Sequence, residues 1–152
     1  MEKFKDLKNK VILISGATGL IGNNLIEEYL SYEADVYGLD IDKKKISLQL
    51  KKLKKNFPQG KVSLLKCDIT KENEVKKVIK YILDKSKKID ILVNNAATKT
   101  KNLKNFFNPF ENYNILDWKK IMDVNINGAF LLSREASKSM IKKKGGNIIS
   151  IA

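Results

Sequence analysis

The sequence predicts an α/β protein: a doubly wound parallel sheet of about five strands, with helices on both faces. Three observations predict it. Short apolar runs alternate with amphipathic helical patterns from end to end, the joints between them are short, and a glycine-rich turn links the first run to the first helix. Strands that alternate with helices in this way are joined by right-handed crossovers, so they lie parallel.

Val11-Ile12-Leu13-Ile14, ended by Ser15-Gly16, reads as a strand covered on both faces, because it has no polar side. Leu20 to Leu30 follows as a helix with Leu25, Ile26, Tyr29 and Leu30 on one face. Asp35 to Leu39 is the second strand, and Lys43 to Phe57 a lysine-coated helix closed by Pro58 and Gly60. Lys61 to Lys66 supplies the third strand. The helix from Lys71 to Lys85 has the clearest stripe, with Val75, Val78, Ile79, Ile82 and Leu83 at i, i+3, i+4, i+7 and i+8. Ile89 to Val93 is the fourth strand. An aromatic-dotted loop runs from Thr98 to Ile115, and Asp117 is expected to cap a long helix reaching about Lys143. Gly145-Gly146 ends that helix, and a fifth strand starts at Asn147.

Composition narrows the function classes. The chain has 152 residues and 43% hydrophobic content, enough for one core. No run approaches the ~18 apolar residues a membrane span needs, and Met1 to Asp6 lacks an apolar export signal. A single cysteine, Cys67, allows no internal disulfide and fits a reducing cytoplasm. The absence of histidine removes histidine-based triads, and no metal site is expected. The net charge of +13 comes from lysine, with Arg134 the only arginine. Nucleic-acid readers favour arginine for its bidentate fork, so no nucleic-acid or membrane partner is expected.

Ser15-Gly16-Ala17-Thr18-Gly19-Leu20-Ile21-Gly22 lies between the first strand and the first helix. Glycines 16, 19 and 22 permit a tight turn, a close backbone approach to a pyrophosphate and close helix–strand packing. The phosphates then meet free N–H groups at a helix N-terminus. This placement points to a Rossmann-type dinucleotide site. Asp40 stands 18 residues beyond Gly22 at the end of the second strand, where a carboxylate accepts from ribose hydroxyls and repels a 2′-phosphate. Ile41 follows, where an NADP site would often offer a cation. NAD is therefore expected over NADP, with Lys43, Lys44 and Lys45 the only local argument for the latter.

With these residues on the page, the chain resembles the short-chain dehydrogenases/reductases along essentially its whole length. The glycine loop is one of four ordered motifs. Cys67-Asp68-Ile69 resembles the family's adenine-contacting Asp-hydrophobic pair, here Asp68 and Ile69. Asn94-Asn95-Ala96-Ala97 resembles its Asn-Asn-Ala-Gly segment, which places Asn95, Ala96 and Ala97 beside the cofactor. Val124-Asn125-Ile126-Asn127-Gly128 resembles the stretch carrying the asparagine of the catalytic tetrad, here Asn125. Two departures stand out. Ala97 replaces the usual glycine, and the Gly-x-x-Gly-x-x-Gly spacing is more typical of the extended branch that acts on nucleotide sugars.

The resemblance implies an NAD(P)-dependent oxidoreductase that moves hydride between nicotinamide and an alcohol or carbonyl carbon. Thr18, Gly19, Leu20, Ile21 and Gly22 join Gly16, Asp40, Ile41, Asp68, Ile69, Asn95, Ala96 and Ala97 as the cofactor set, and Asn125 supports a water-linked proton relay. The alternatives are a nucleotide-sugar epimerase or dehydratase and a non-catalytic dinucleotide-binding protein. The aromatic loop resembles family members of bacterial surface-sugar and flagellin-glycan pathways, which implies a sugar derivative as a candidate substrate. The family's catalytic serine would fall just past Ala152, with its Tyr-x-x-x-Lys pair beyond. Ser150 sits too early and is expected to pack within its strand. Tyr81-x-x-x-Lys85 has the right spacing but precedes the fourth strand, so it reads as surface decoration. The expectation is a single, incomplete domain over 1–152: an inactive fragment of a parent that forms homodimers or homotetramers.

Overall fold

A computed structural model describes residues 5–99 and 103–151. Five strands, β1 (Val11–Ser15), β2 (Asp35–Asp40), β3 (Lys61–Lys66), β4 (Ile91–Asn94) and β5 (Asn147–Ser150), form one sheet in the order β3-β2-β1-β4-β5. Every pairing is parallel. The helices α1 (Leu20–Ser31), α2 (Lys43–Asn56) and α3 (Glu72–Ser86) connect the first four strands. The fold is the doubly wound sheet that the alternating pattern predicts.

Strand alternation builds two cores. Ile12, Ile14, Val36, Leu64 and Val93 point to the face covered by α1 and α2, where Ile26, Leu30, Ile46 and Leu53 meet them. Val11, Leu13, Leu39 and Leu92 point to the other face, against Val75, Ile79 and Ile82 of α3 and Leu132, Ala136 and Met140 further along. All five residues of β1 are buried because the strand lies between β2 and β4 with helices on both sides. Full burial of each of these aliphatic side chains stabilises the fold by about 1.5–3 kcal/mol.

The structure corrects several expected elements. Ile89 is buried in the core but lies outside β4. At its neighbour Asp90, burial pushes the carboxyl upward. Hydrogen bonds from Lys88 and from the Val11 N–H at 2.7 Å outweigh this and hold it below the ordinary carboxylate value. The expected Thr98–Ile115 loop contains a short helix, α4 (Leu103–Phe106), and a 3₁₀ turn at Phe110–Asn112; Thr100 to Asn102 lie outside the described residues.

The cap of the next helix is Asn114 rather than Asp117. Its Oδ1 accepts from the N–H groups of Leu116 (2.8 Å) and Asp117 (3.3 Å), which leaves Asp117 in the first turn. The expected long helix is also not uniform. It consists of α5 (Ile115–Met122), a six-residue π-helical segment (Asp123–Gly128) and α6 (Ala129–Lys142).

β5 forms an edge of the sheet, with Ile148 and Ile149 each more than two-fifths exposed. Ser150 is likewise exposed rather than packed, because no described element covers β5. Its Oγ lies 3.4 Å from Asn94 Nδ2. Tyr81 is 43% exposed on α3, as expected for a surface residue. Among the described residues no helix is long and apolar enough to cross a membrane.

Candidate dinucleotide site

The loop between β1 and α1 is shaped by what its glycines lack. Gly16 has φ +68°, a left-handed conformation, and a Cβ there would lie 2.8 Å from Ala96 Cα. A Cβ on Gly22 would lie only 2.2 Å from the Gly16 carbonyl oxygen. The loop therefore folds back against the start of α1 and against the segment after β4. Gly19 is the N-cap of α1 and offers no side chain to its N–H groups, and the first turn carries no acidic residue. The donors and the positive end of the helix are left for an anion.

Two residues tie this loop down. Asn95 Nδ2 donates to the carbonyl oxygens of Ser15 (3.0 Å) and Gly16 (3.1 Å). The Ser15 hydroxyl accepts from the N–H groups of Asn95 and Ala96, both at 3.1 Å. Asn95 thus acts by bracing the turn from behind. Gln49 of α2 performs a similar task from the other side: its Nε2 donates to the Ala17 carbonyl and to Asn23 Oδ1, each at 2.9 Å.

Asp40 ends β2 beside the loop. Its Oδ2 accepts from Thr18 N (2.9 Å) and Thr18 Oγ1 (2.8 Å), and its Oδ1 accepts from Asp42 N (3.1 Å). A carboxylate has about four acceptor positions. Those three bonds fix its orientation and leave Oδ1 with capacity for a ligand hydroxyl.

A cleft of about 220 Å³ opens at the carboxyl ends of β1 to β4. It gathers Gly16, Asp40, Ile41, Asp68, Ile69, Ala96 and Ala97 of the expected set. In an open α/β sheet, ligands bind outside the carboxyl ends where the strand order reverses, here between β1 and β4. Asp68 is held by its own turn, with Oδ1 accepting from Thr70 N and Oγ1. The Cys67 thiol also lines the cleft. Burial, then the nearby Glu74 and Asp68 charges, push it up to about 12, so it stays neutral.

The remaining expected residues lie around this cleft rather than in it. Thr18, Gly19 and Leu20 line a separate recess with Lys45, Gln49 and Lys52 on the α1–α2 side. Leu20 and Ile21 are exposed, and Gly22 is buried beneath the loop. Asn125 sits in the π-helical segment, where its Oδ1 accepts from Thr98 N at 2.8 Å. Insertions of this kind in helices recur at functional sites. Among the described residues, no group of three or more His, Cys, Asp or Glu is placed to hold a metal.

Sequence reasoning missed Thr98, Val124, Ser15 and Gln49. Thr98 directly follows the Asn-Asn-Ala-Ala segment and Val124 precedes Asn125, so proximity to those motifs was the available signal. No sequence pattern marks Gln49, which reaches the loop only because α2 packs beside α1.

Comparison with known proteins agrees with the fold. A family model described as short chain dehydrogenase matches residues 10–152. The chain is 33% identical, over 156 residues, to 2-dehydro-3-deoxy-D-gluconate 5-dehydrogenase of Pseudoalteromonas atlantica, covering 100% of this chain and 57% of that protein. Among solved structures, NAD+-bound xylitol dehydrogenase superposes with TM-score 0.86 at 24% identity, covering 95% of this chain and 53% of that one. A metagenomic short-chain oxidoreductase in complex with NADP superposes with TM-score 0.85 at 25% identity, covering 96% and 63%. The chain spans about half the length of the curated relatives it matches.

Proposed function

This chain belongs to the short-chain dehydrogenase family, and from that premise we propose that its 152 residues form one dinucleotide-binding domain that holds NAD in preference to NADP. The observation that carries the proposal is convergence. Gly16, Asp40, Asp68 and Ala96, each at the carboxyl end of a different strand, meet in one cleft beside the uncapped start of α1. The glycine loop suits a pyrophosphate because a Cβ at Gly16 or Gly22 would collide with Ala96 or with the Gly16 carbonyl and so displace the tight turn that leaves the start of α1 uncapped.

In this reading the loop N–H groups donate to the phosphates and the α1 dipole favours their charge. Asp40 Oδ1 accepts from an adenosine ribose hydroxyl and repels a 2′-phosphate, while Ile41 offers no cation to attract one. Ile69 and Val124 supply apolar walls, and the neutral Cys67 thiol adds no charge between them. Asn125 holds the segment after β4 through Thr98 and supports a water-linked proton relay. Bound nicotinamide supplies or accepts the hydride. The reaction we propose is oxidoreduction of a small alcohol or carbonyl compound, and the dehydrogenase name of the Pseudoalteromonas relative supports it.

A second reading is a nucleotide-sugar epimerase or dehydratase, favoured by the Gly16-x-x-Gly19-x-x-Gly22 spacing. Those enzymes return the dinucleotide to its starting oxidation state. Net accumulation of NADH with an alcohol therefore separates the two.

Calorimetric titration with NADH and NADPH tests the cofactor assignment. NADH is expected to bind more tightly. Asp40→Asn should weaken it by about tenfold or more, as expected for loss of a hydrogen bond to a charged group, and should narrow the gap to NADPH. Equal binding of both dinucleotides by the unaltered protein, or binding of neither, would overturn the assignment.

A further inference from the structure

Ile46, Leu50 and Leu53 carry the core-facing side of α2. Gln49 lies on that same side, three residues after Ile46 and four before Leu53, yet it is polar. A polar side chain that faces inward needs partners, and its partners show what it holds. We infer that Gln49 is a positioning residue for the choice between NAD and NADP, acting on Asp40 through the Ala17–Thr18 peptide. The inference rests on the dinucleotide reading and adds to it a residue outside the cleft.

Gln49 Nε2 donates to the Ala17 carbonyl at 2.9 Å. The N–H on the other side of that peptide belongs to Thr18, and it donates to Asp40 Oδ2 at 2.9 Å. A trans peptide is rigid and planar, so its C=O and N–H turn together. One amide plane is thus held at both ends, by Gln49 and by Asp40. The Thr18 hydroxyl reaches the same carboxylate oxygen at 2.8 Å, so the orientation of this one residue decides how Oδ2 is occupied. With Oδ2 taken by the loop, Oδ1 is the oxygen that meets a ribose hydroxyl or repels a 2′-phosphate.

The direction of these bonds is fixed from both ends. Gln49 Nε2 also donates to Asn23 Oδ1 at 2.9 Å, and Asn23 Nδ2 donates to Glu27 Oε1 at 3.2 Å. A hydrogen bond from Lys52 Nζ at 2.8 Å holds the Glu27 carboxyl below its ordinary value, so it stays ionised. A carbonyl and a carboxylate can only accept. Turning either side-chain amide over would therefore set acceptor against acceptor. The loop carbonyl is tethered to a run of α1 and α2 side chains that has one arrangement.

Calorimetric titration of the whole chain with NADH and NADPH tests the inference. Gln49→Met keeps the length of the side chain and removes both donated bonds. It also removes Oε1, which is buried with no partner among the described residues, so the denaturant midpoint should change little. NADH should bind more weakly by about threefold or more, the scale of one neutral hydrogen bond. NADPH should lose less, so the preference narrows. In an Asp40→Asn background the same substitution should add almost nothing, because its route to the ligand is already cut. Gln49→Leu, shorter and equally unable to donate, should act alike. Ser47→Ala, on the exposed side of α2, should leave both affinities unchanged. Unaltered NADH affinity in Gln49→Met and Gln49→Leu would overturn the inference. So would an equal loss for both dinucleotides, which would make Gln49 a support of the loop alone, or a full further loss in the Asp40→Asn background. The dinucleotide reading is judged on the unaltered chain: equal binding or binding of neither there would remove both. A NADH preference that survives Gln49→Met would remove only the role of Gln49.

Discussion

At Gly22 the requirement for glycine is steric. The backbone runs so close to the Gly16 carbonyl that one added methyl group, 2.2 Å from that oxygen, cannot be accommodated without moving the loop. The obstacle is backbone, which cannot rotate away as a side-chain tip would. Gly22→Ala should therefore lower stability by about 1–3 kcal/mol, the usual range for overpacking, and should abolish detectable NADH binding. Denaturant unfolding and calorimetry check the two parts; a variant that keeps full NADH affinity would show that the loop is not the phosphate site. Asp40 makes a related point at the same scale. The sequence places an acid at the end of β2, but only the structure shows Thr18 anchoring that acid through both N and Oγ1.

At the scale of the element, the run from Ile115 to Lys142 shows what periodicity cannot report. Its apolar spacing reads as one helix, and the motif around Asn125 is visible in the sequence. The π-helical widening at Asp123–Gly128 is not, because one extra residue in a turn leaves little trace in hydrophobic spacing. The structure shows what the widened turn touches. A Cβ on Gly128 would fall 2.6 Å from Ile69 Cγ1, so the turn packs directly onto the apolar wall of the cleft. Gly128→Ala should push it outward, loosen the Asn125–Thr98 bond and cost about 1–3 kcal/mol. Hydrogen exchange at Thr98 N–H should quicken relative to the unaltered protein. Unchanged protection there would mean that Gly128 does not position Asn125.

Across the whole molecule, charge is the dominant unbalanced quantity. The formal charge of +13 resists compaction through self-repulsion, and many lysines lie on exposed helical faces. Local pairs such as Lys52–Glu27 at 2.8 Å and Arg134–Glu72 at 2.7 Å relieve only part of it. Exposed pairs of this kind contribute roughly 0–1 kcal/mol each, so screening them costs little. Raising sodium chloride from about 0.01 M to 0.15 M shortens the screening length from roughly 30 Å to roughly 8 Å. The Tm should rise by a few degrees, given roughly 2–4 °C per kcal/mol for a chain of this size. A Tm that falls over this range would mean that attractive pairs outweigh the net repulsion.

The sequence by itself determined the architecture and the family. Apolar runs of strand length, amphipathic stripes such as Val75–Ile79–Ile82 and a glycine turn at the first joint are local signals, and burial of those stripes calls for a parallel sheet with helices on both faces. The start of the site was legible for the same reason: Gly16, Asp40, Asp68 and Ala96 each end a strand, and parallel strands bring such ends together. Tertiary structure alone decided which of these residues share a cleft, and that Asn95 and Gln49 brace the loop. Those outcomes depend on how α2 and the loops pack against their neighbours, and packing direction is set by contacts distant in the chain, which hydrophobic period does not encode.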